Sequence, residues 1–264
     1  MLSPRLVAKI ESEEPTLRLA VLIDADNAQA KIIENLLKDI ALSGEAVVKR
    51  IYGDFTSQNS SSWKKVLQKY SIKPIQQFSY TTGKNSTDSA LIIDAMDLLY
   101  TQKFDGFCLV TSDSDFTGLA IRIREAGLVV FGYGEEKTPD AFRNACHKFI
   151  PTELLRSSSE ISVLNQSQED IQIKSQDNST QSAEFPKKFI LDALRECSNE
   201  DGWVHLGTLG SYLTKLKPDF DSRAFGSRKL SDLIKSKQDL FEVEERPVGS
   251  GHKALYVRGK ISSL

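Results

Sequence analysis

Four aspartates in the N-terminal half of the chain are candidate ligands of a catalytic metal ion. They follow three different segments: Asp24 after the run Leu19–Ile23, Asp88 after Lys84-Asn-Ser-Thr87, and Asp113 with Asp115 after the run Phe107–Thr111. Hard divalent cations such as Mg²⁺ and Mn²⁺ take oxygen ligands, usually a few carboxylates together with water and substrate phosphate. Clustered carboxylates repel one another unless a cation neutralises them. Such a cluster suits hydrolysis of a phosphodiester by a metal-activated water.

Alternating strands and helices would position these acids. We expect strands at Leu19–Ile23, Ala46–Tyr52, Lys73–Ser79, Phe107–Thr111, Leu128–Tyr133 and Lys148–Ile150. Helices are expected between them, at Ala28–Leu42, Ser60–Tyr70, Asp88–Thr101, Asp115–Ala126 and Pro139–Ala145. Near-continuous apolar runs are typical of strands buried on both faces of a parallel sheet, so the sequence predicts a three-layer α/β domain. In such sheets ligands bind at the carboxyl ends of the strands, where these acids fall.

Further polar residues flank the four aspartates. Asn27 and Thr111 could orient an acidic side chain by hydrogen bonding, and each could equally satisfy local backbone groups. Asp26 lies beside Asp24, and Asp94 is far enough along its helix to reach the edge of the site. A single aspartate in such a position is as well explained as a helix cap. The prediction therefore depends on three strand ends presenting acids together.

Basic residues near the acids are candidates to hold a phosphate-bearing substrate. Lys84 shortly precedes Asp88, and the other candidates are Lys49, Arg50, Arg122 and Arg124. Exposed charge is the usual state of lysine and arginine, so simple solvation is the alternative for each of them.

A second globular unit follows a polar, acidic stretch. Residues 153–184 are rich in Ser and Gln and poor in aromatic residues, which predicts a flexible linker. Beyond it, apolar positions predict three helices and two strands, the outline of a winged helix, with the strands at Leu240–Val243 and Ala254–Val257. The predicted limits are 1–16 for an N-terminal tail, 17–152 for the α/β domain and 185–260 for the winged-helix domain.

Basic residues slightly outnumber acidic ones in this C-terminal unit, which weakly indicates a polyanionic partner. Arg223, Arg228 and Lys229 lie on or near the third helix and could contact phosphates, the alternative being a solvated helix face. Trp203 and Tyr212 have apolar neighbours, so we expect them in the core rather than on a base-stacking surface.

The rest of the composition excludes several classes of protein. No run approaches the roughly 20 apolar residues that span a bilayer, and residues 1–16 carry no apolar stretch typical of a secretory signal. The cysteines Cys108, Cys146 and Cys197 are too far apart for a disulfide framework or a zinc knuckle. We expect a cytoplasmic protein with no membrane partner. The net charge of −2 argues against bulk electrostatic wrapping of nucleic acid.

Three segments resemble the motifs of the NYN family, a LabA-like branch of the PIN-like nuclease class. Val21-Leu-Ile-Asp-Ala-Asp-Asn27 is similar to the first motif, a hydrophobic strand followed by D-x-x-N. Lys84-Asn-Ser-Thr-Asp-Ser-Ala-Leu-Ile-Ile-Asp94 is similar to the second, K-x-x-x-D before a helix with a further Asp. Leu109-Val-Thr-Ser-Asp-Ser-Asp-Phe116 is similar to the third, S-G-D-x-D-F, with Thr-Ser in place of the usual Ser-Gly. Order and spacing match over roughly residues 17–150.

This resemblance implies a PIN-like, Rossmannoid parallel sheet and a ribonuclease that depends on Mg²⁺ or Mn²⁺. Asp24, Asp88 and Asp113 would bind the metal, and Asp115 would be a fourth catalytic acid. The supporting residues would be Asn27, Thr111, Asp26 and Asp94.

The C-terminal residues 185–258 resemble the OST-HTH, or LOTUS, domain, a winged-helix module of RNA-related proteins. The resemblance rests on the order of Phe189-Ile-Leu-Asp-Ala-Leu194, Trp203-Val-His-Leu206, Leu209-Gly-Ser-Tyr-Leu213 and Leu230-Ser-Asp-Leu-Ile234. It implies that this unit binds RNA or a protein partner.

Two other functions stay open. The chain could be a non-catalytic, RNA-binding regulatory protein that keeps the fold without turnover. A haloacid-dehalogenase-like phosphatase is less favoured, although Asp24-Ala-Asp26 after an apolar strand resembles the D-x-D nucleophile motif of that class. That class usually has Thr or Val where this chain has Ala28.

Overall fold

The computed structural model describes residues 16–56, 61–78, 86–155, 184–248 and 252–260. The chain divides into two compact units, Met1–Ile161 and Ser162–Leu264. Within the described residues, no helix is long and apolar enough to cross a membrane. The predicted domain limits and the cytoplasmic location stay predictions.

The N-terminal unit is a three-layer α/β fold around a six-stranded parallel sheet, as predicted. Its strands are β1 Arg18–Asp24, β2 Glu45–Gly53, β3 Lys73–Gln76, β4 Gly106–Val110, β5 Val129–Gly134 and β6 Lys148–Pro151. Its helices are α1 Ile33–Ala41, α2 Ser61–Tyr70, α3 Ser86–Tyr100, α4 Thr117–Glu125 and α5 Asp140–Ala145. Short 3₁₀ turns, Ala30–Ile32 and Ser114–Phe116, precede α1 and α4, and a third follows β6 at Thr152–Leu155.

Strand β1 is buried on both faces because successive side chains point to opposite sides of the sheet. Ala20 and Leu22 pack into one core with residues of α3, α4 and α5. Leu19, Val21 and Ile23 pack into a second core with residues of α1 and α2. The apolar run after Arg18 therefore fills two helix–sheet interfaces at once, which explains why it carries no polar residue before Asp24.

The strand order places the carboxyl end of β1 at the point where the topology reverses. The order is β3-β2-β1-β4-β5-β6. Strands β2 and β3 lie on one side of β1; the chain then crosses back through α3, and β4, β5 and β6 lie on the other side. Crevices at such switch points are the usual binding sites of open α/β sheets. The fold thus provides a crevice between the ends of β1 and β4, beside the start of α3.

The C-terminal unit has the predicted three helices and β-hairpin. Its elements are α6 Lys187–Cys197, β7 Val204–His205, α7 Leu206–Leu216, a 3₁₀ turn Ser222–Phe225, α8 Leu230–Lys235, β8 Phe241–Val248 and β9 His252–Gly259. The sequence did not predict β7, which pairs antiparallel with β9 and makes the sheet three-stranded. Tyr212 packs against the core as expected. Trp203 was wrongly placed there: it is half-buried and lies outside the core cluster.

Candidate metal centre

Asp24 ends β1 and forms the buried floor of the site. Its Oδ2 accepts hydrogen bonds from the Asn27 amide at 2.6 Å and the Thr111 hydroxyl at 3.0 Å. Its Oδ1 accepts one from the Asp26 backbone N–H at 3.0 Å. Burial raises the pKa of Asp24, and these three donors oppose that rise by stabilising the carboxylate. A carboxylate has about four lone-pair positions, so Asp24 keeps capacity for a further partner.

Asp88 lies in the first turn of α3, where the crossover from β3 returns to the crevice. Partial burial raises its pKa, and the nearby charges of Asp24, Asp113 and Asp115 raise it further, to about 6. The exposed Asp26 adds a smaller repulsion in the same direction. Acids from three separate chain segments thus lie near one another here.

Asp113 and Asp115 are held by the turn that follows β4. The Thr111 hydroxyl, which donates to Asp24, accepts a hydrogen bond from the Asp113 N–H at 3.1 Å. Asp113 in turn caps the 3₁₀ turn, since its Oδ1 accepts the Asp115 N–H at 2.9 Å. A chain of hydrogen bonds thus runs from the end of β1 through Thr111 to the turn.

Three carboxylates of this site come close enough to share one ion. Among the described residues, oxygen atoms of Asp88, Asp113 and Asp115 all lie within 4.8 Å of one another. We call these three residues the acidic cluster. Asp24 lies outside this group of three, and its electrostatic effect on Asp88 shows that it is nearby. The donor set consists of hard oxygen atoms from Asp side chains alone, which matches Mg²⁺ or Mn²⁺ and not a metal that prefers sulfur or imidazole.

The predicted supporting residues have different surroundings. Asn27 and Thr111 both donate to Asp24, in the orienting manner that the sequence suggested. Asp94 instead accepts two hydrogen bonds from β2. The Arg50 guanidinium donates to its Oδ1, and the Tyr52 hydroxyl donates to its Oδ2. Burial and Asp94 raise the pKa of Tyr52. Asp94 thereby fastens α3 to β2 beside the acids.

Two further residues shape the crevice: Ser112, which stands where the family motif usually has Gly, and Gly134. The Ser112 hydroxyl accepts a hydrogen bond from the Glu135 N–H at 2.8 Å, which links the Asp113 turn to the end of β5. Gly134 lets β5 approach this turn, since a Cβ there would lie 2.4 Å from the carbonyl oxygen of Thr111. In the sequence, the only signal of this close approach is that β5 ends in a glycine, Gly134.

The basic candidates of the N-terminal unit mostly have structural partners. The Lys49 ammonium donates to the carbonyl of Tyr70 at 2.6 Å. The Arg124 guanidinium donates to carbonyls at the end of α5, those of Asn144 and Ala145, both at 3.2 Å. Arg122 is exposed. Lys84 lies outside the described residues.

In the C-terminal unit, the predicted nucleic-acid contacts divide into two kinds. Arg223 makes a bidentate ion pair with the buried Asp221, with Nε–Oδ1 3.0 Å and Nη2–Oδ2 2.7 Å. Its guanidinium is committed to the fold around the Ser222–Phe225 turn. Arg228 and Lys229 are exposed. Their role in binding stays a prediction.

The six-stranded parallel sheet, with acids at its switch point, agrees with a PIN-like fold. The NYN family model matches residues 18–158, more than half of the chain, and the chain belongs to the NYN family. The OST-HTH/LOTUS model matches residues 181–252, so the chain also carries that domain. NYN domains are generally nucleases, and OST-HTH/LOTUS domains bind RNA.

Several solved structures resemble this chain, and two of them cover different shares of it. An uncharacterised protein of Nitrosomonas europaea, solved by NMR, is 54% identical over 34% of this chain and 86% of its own length, with a TM-score of 0.29. A protein of unknown function from Vibrio parahaemolyticus is 18% identical over 52% of this chain and 94% of its own length, with a TM-score of 0.44. No curated protein matches this chain.

Proposed function

We propose that this protein is a ribonuclease that hydrolyses RNA phosphodiester bonds with the help of Mg²⁺ or Mn²⁺. The observation that carries the proposal is the acidic cluster, whose carboxylate oxygens lie within 4.8 Å of one another at the sheet's switch point. Like charges at this separation destabilise a fold, so their presence in a crevice calls for a cationic partner.

Asp88, Asp113 and Asp115 would hold the ion, with Asp24 behind them as a further acid in contact through Thr111. A bound divalent cation supplies two things in such sites: it lowers the pKa of a coordinated water, and it neutralises charge on the phosphate under attack. The protein's own contribution is orientation. Asn27 and Thr111 fix the Asp24 carboxylate, and the 3₁₀ turn fixes Asp113 relative to Asp115.

The C-terminal OST-HTH/LOTUS domain would bring RNA to the nuclease domain. We propose residues 17–152 and 185–260 as the limits of the two domains, with residues 153–184 as the linker. Binding in a separate domain raises the local concentration of substrate at the nuclease site. Deletion of residues 185–264 is then expected to weaken RNA affinity and to leave Mn²⁺ binding to the N-terminal domain unchanged.

The test is cleavage of a labelled single-stranded RNA with Mg²⁺, with Mn²⁺ and with a chelator. We expect cleavage with either ion, none with the chelator, and a loss of at least about 100-fold in the Asp113→Asn protein, the usual scale for removing a group that stabilises charge in a transition state. Asp97→Asn is the matched control, because Asp97 lies exposed on α3, the same helix as Asp88. Full activity of Asp113→Asn would refute the assignment of the site.

Mn²⁺ binding measured without RNA separates the remaining alternatives. A protein that binds Mn²⁺ through the acidic cluster but cleaves no RNA would be a non-catalytic RNA-binding regulator. Hydrolysis of small phosphomonoesters that is lost in Asp24→Asn would instead indicate the phosphatase suggested by Asp24-Ala-Asp26.

A further inference from the structure

The sheet of the C-terminal unit has one face that points away from the domain core. Val204, Phe241 and Val257 point into the core from β7, β8 and β9. Because side chains alternate along a strand, their neighbours point to the opposite face. That outer face carries Trp203, His205, Arg246, Tyr256 and Arg258, which we call the wing face.

Planar groups of the wing face contact one another in a continuous series. The Arg246 guanidinium lies 4.7 Å from the centre of the Trp203 ring and 4.6 Å from that of Tyr256. The Arg258 guanidinium lies 4.8 Å from the Trp203 ring. At the other end of the series, the rings of His205 and Tyr256 are 5.5 Å apart in an edge-to-face arrangement. His205 is exposed, and the other four residues are half-buried.

Two glutamates hold the guanidinium groups and cancel their charge. Arg246 donates to Glu244 at 2.8 Å, and Arg258 donates to Glu242 at 2.6 Å. Both glutamates belong to the same outer face of β8. The fixed orientation prepares flat surfaces for a ligand, while the near-neutral charge makes the face a poor site for phosphate groups. The face therefore suits a ligand that is flat and uncharged.

Unpaired nucleobases have those properties. They stack on aromatic rings and on arginine guanidinium planes, and proteins that read single-stranded RNA use such surfaces. Around α8, Lys229, Lys235 and Lys237 have no planar group to stack on a base, and the Arg223 guanidinium is held by the buried Asp221.

We propose that the wing face binds unpaired bases of single-stranded RNA by stacking. This deepens the proposal that the C-terminal unit binds RNA and rests on it. The bases, and not the phosphates, make the contact, so the face selects single-stranded segments over duplex. Phosphate contacts, where they occur, come from exposed cations elsewhere in the unit, such as Arg228 and Lys229.

The first test uses the fluorescence of Trp203 in the full-length protein. The chain has two tryptophans, so Trp63→Phe leaves Trp203 as the only reporter. The probes are an adenosine decamer and an abasic decamer with the same number of phosphates, both added in a chelator to prevent cleavage. We expect the decamer with bases to quench Trp203 emission and the abasic decamer to leave it unchanged. Equal quenching by both, or none at saturation, overturns the proposal.

The second test compares affinities and does not require the Trp63 substitution. Arg246→Ala and Tyr256→Ala should each weaken binding of the base-containing decamer about tenfold, the scale of one lost stacking contact. Tyr256→Phe keeps the ring and should bind as the parent does. Arg228→Ala should weaken the base-containing and the abasic decamer alike.

The two proposals fail in different ways in these measurements. If no variant and no probe reveals binding, the C-terminal unit does not bind RNA, and both proposals about it fall. If the decamer binds but Arg246→Ala and Tyr256→Ala bind it as tightly as the parent, RNA binding stands and the wing face is wrong. Melting curves of each variant show that a loss of affinity is not a loss of folding.

Discussion

In the N-terminal unit, Asp88, Asp113 and Asp115 bring like charges within 4.8 Å of one another, whereas in the C-terminal unit Arg223 meets Asp221 in a bidentate ion pair. Partial burial of Asp88, together with the charges of the neighbouring carboxylates, raises its pKa to about 6. The ion pair satisfies a buried carboxylate with a matched cation. Like charges gathered in a crevice indicate a place for a cationic ligand, whereas a matched ion pair indicates a contribution to the fold.

The ion pairs of the wing face fall between these two cases. Arg246 and Arg258 are matched by Glu244 and Glu242, as in a structural ion pair, yet they lie at the surface against aromatic rings. Surface ion pairs contribute little to stability, about 0–1 kcal/mol. Their effect here is to orient flat groups, so matched charge at this face supports binding by shape and stacking instead of binding by charge.

Of the changes that distinguish the two units, Asp88→Asn is expected to have the largest effect, a loss of RNA cleavage. This change replaces one of the three charged carboxylates proposed to hold the ion with a neutral amide, so we expect RNA cleavage in saturating Mg²⁺ to fall by at least about 100-fold. Initial rates against RNA concentration give the measurement. Asp97→Asn on the same helix is the control and should keep the parental rate. A rate within a few-fold of the parent in Asp88→Asn would remove Asp88 from the catalytic site.

In the C-terminal unit, the corresponding change is expected to damage folding. Arg223→Ala leaves the buried Asp221 carboxylate without its two guanidinium contacts, which should lower the free energy of unfolding by about 1–3 kcal/mol. The Arg223 side chain is 27% exposed, which keeps the effect below that of a fully buried pair. Urea denaturation, followed by fluorescence, measures the change.

A surface arginine with a similar partner provides the control for this change. Arg195 and Asp192 form an exposed pair on α6, with a separation of 3.5 Å. Arg195→Ala should therefore cost less than about 0.5 kcal/mol. If both variants unfold at the same urea concentration as the parent, the Arg223–Asp221 pair is not a structural ion pair in the sense used here.

In the N-terminal unit, removal of a charge is expected to stabilise the fold, whereas Arg223→Ala destabilises the C-terminal unit. The pKa of Asp88 is raised from 3.8 to about 6 in the folded state, so folding without metal opposes its ionisation. The resulting loss of stability is absent below about pH 4, grows as the pH rises towards 6 and is complete above it. Asparagine cannot ionise. Asp88→Asn should therefore melt a few degrees above the parent at pH 8 in a chelator, since about 1 kcal/mol shifts Tm by about 2–4 °C in a protein of this size.

The same melting curves at pH 4 provide the comparison. There Asp88 is largely protonated in the folded state and the penalty on its ionisation is small, so the difference between Asp88→Asn and the parent should nearly vanish. Addition of Mn²⁺ at pH 8 should raise the Tm of the parent and not that of the variant. A lower Tm for Asp88→Asn at pH 8 without metal would mean that this carboxylate stabilises the fold.

The convergence of the acids could be predicted from the sequence because a general rule connects strand ends to a common edge. Asp24 directly follows a doubly buried strand, and Asp113 follows a second one, so a parallel sheet brings them together. The partners of Asp94 could not be predicted in this way. Arg50 and Tyr52 lie 44 and 42 positions away in the chain, and their meeting depends on the rotation of α3 over β2.

The error at Trp203 has a physical cause that the sequence also contains. Apolar neighbours suggested a core position, but Trp203-Val204-His205 alternates along an extended segment. Val204 points into the core, which turns the residues on either side of it to the outer face. The short strand β7 is formed only by pairing with β9, more than 50 residues later, so local pattern alone gave too little reason to read it as a strand.

The smallest expected effect comes from Ser112→Gly, which replaces this residue by the one usual in the family. The change removes the hydrogen bond from the Glu135 N–H to the Ser112 hydroxyl and frees the backbone, so the Tm should fall by about 2–4 °C for a loss of about 1 kcal/mol. Asp113 keeps its bond to Thr111, so the cleavage rate should stay within about threefold of the parent. Ser112→Ala, which loses the hydroxyl alone, is the control for backbone freedom.

A different outcome for Ser112 would change the comparison between the units. A loss of more than about tenfold in rate, in both Ser112→Gly and Ser112→Ala, would mean that the link to β5 holds Asp113 in its working position. The acidic cluster would then depend on a matched polar contact just behind it, much as Arg246 depends on Glu244 in the wing face. That contact would keep the carboxylates in place against their mutual repulsion until a cation binds. Both units would then use a polar contact behind the binding residues to fix their orientation, and they would differ mainly in the ligand that they bind.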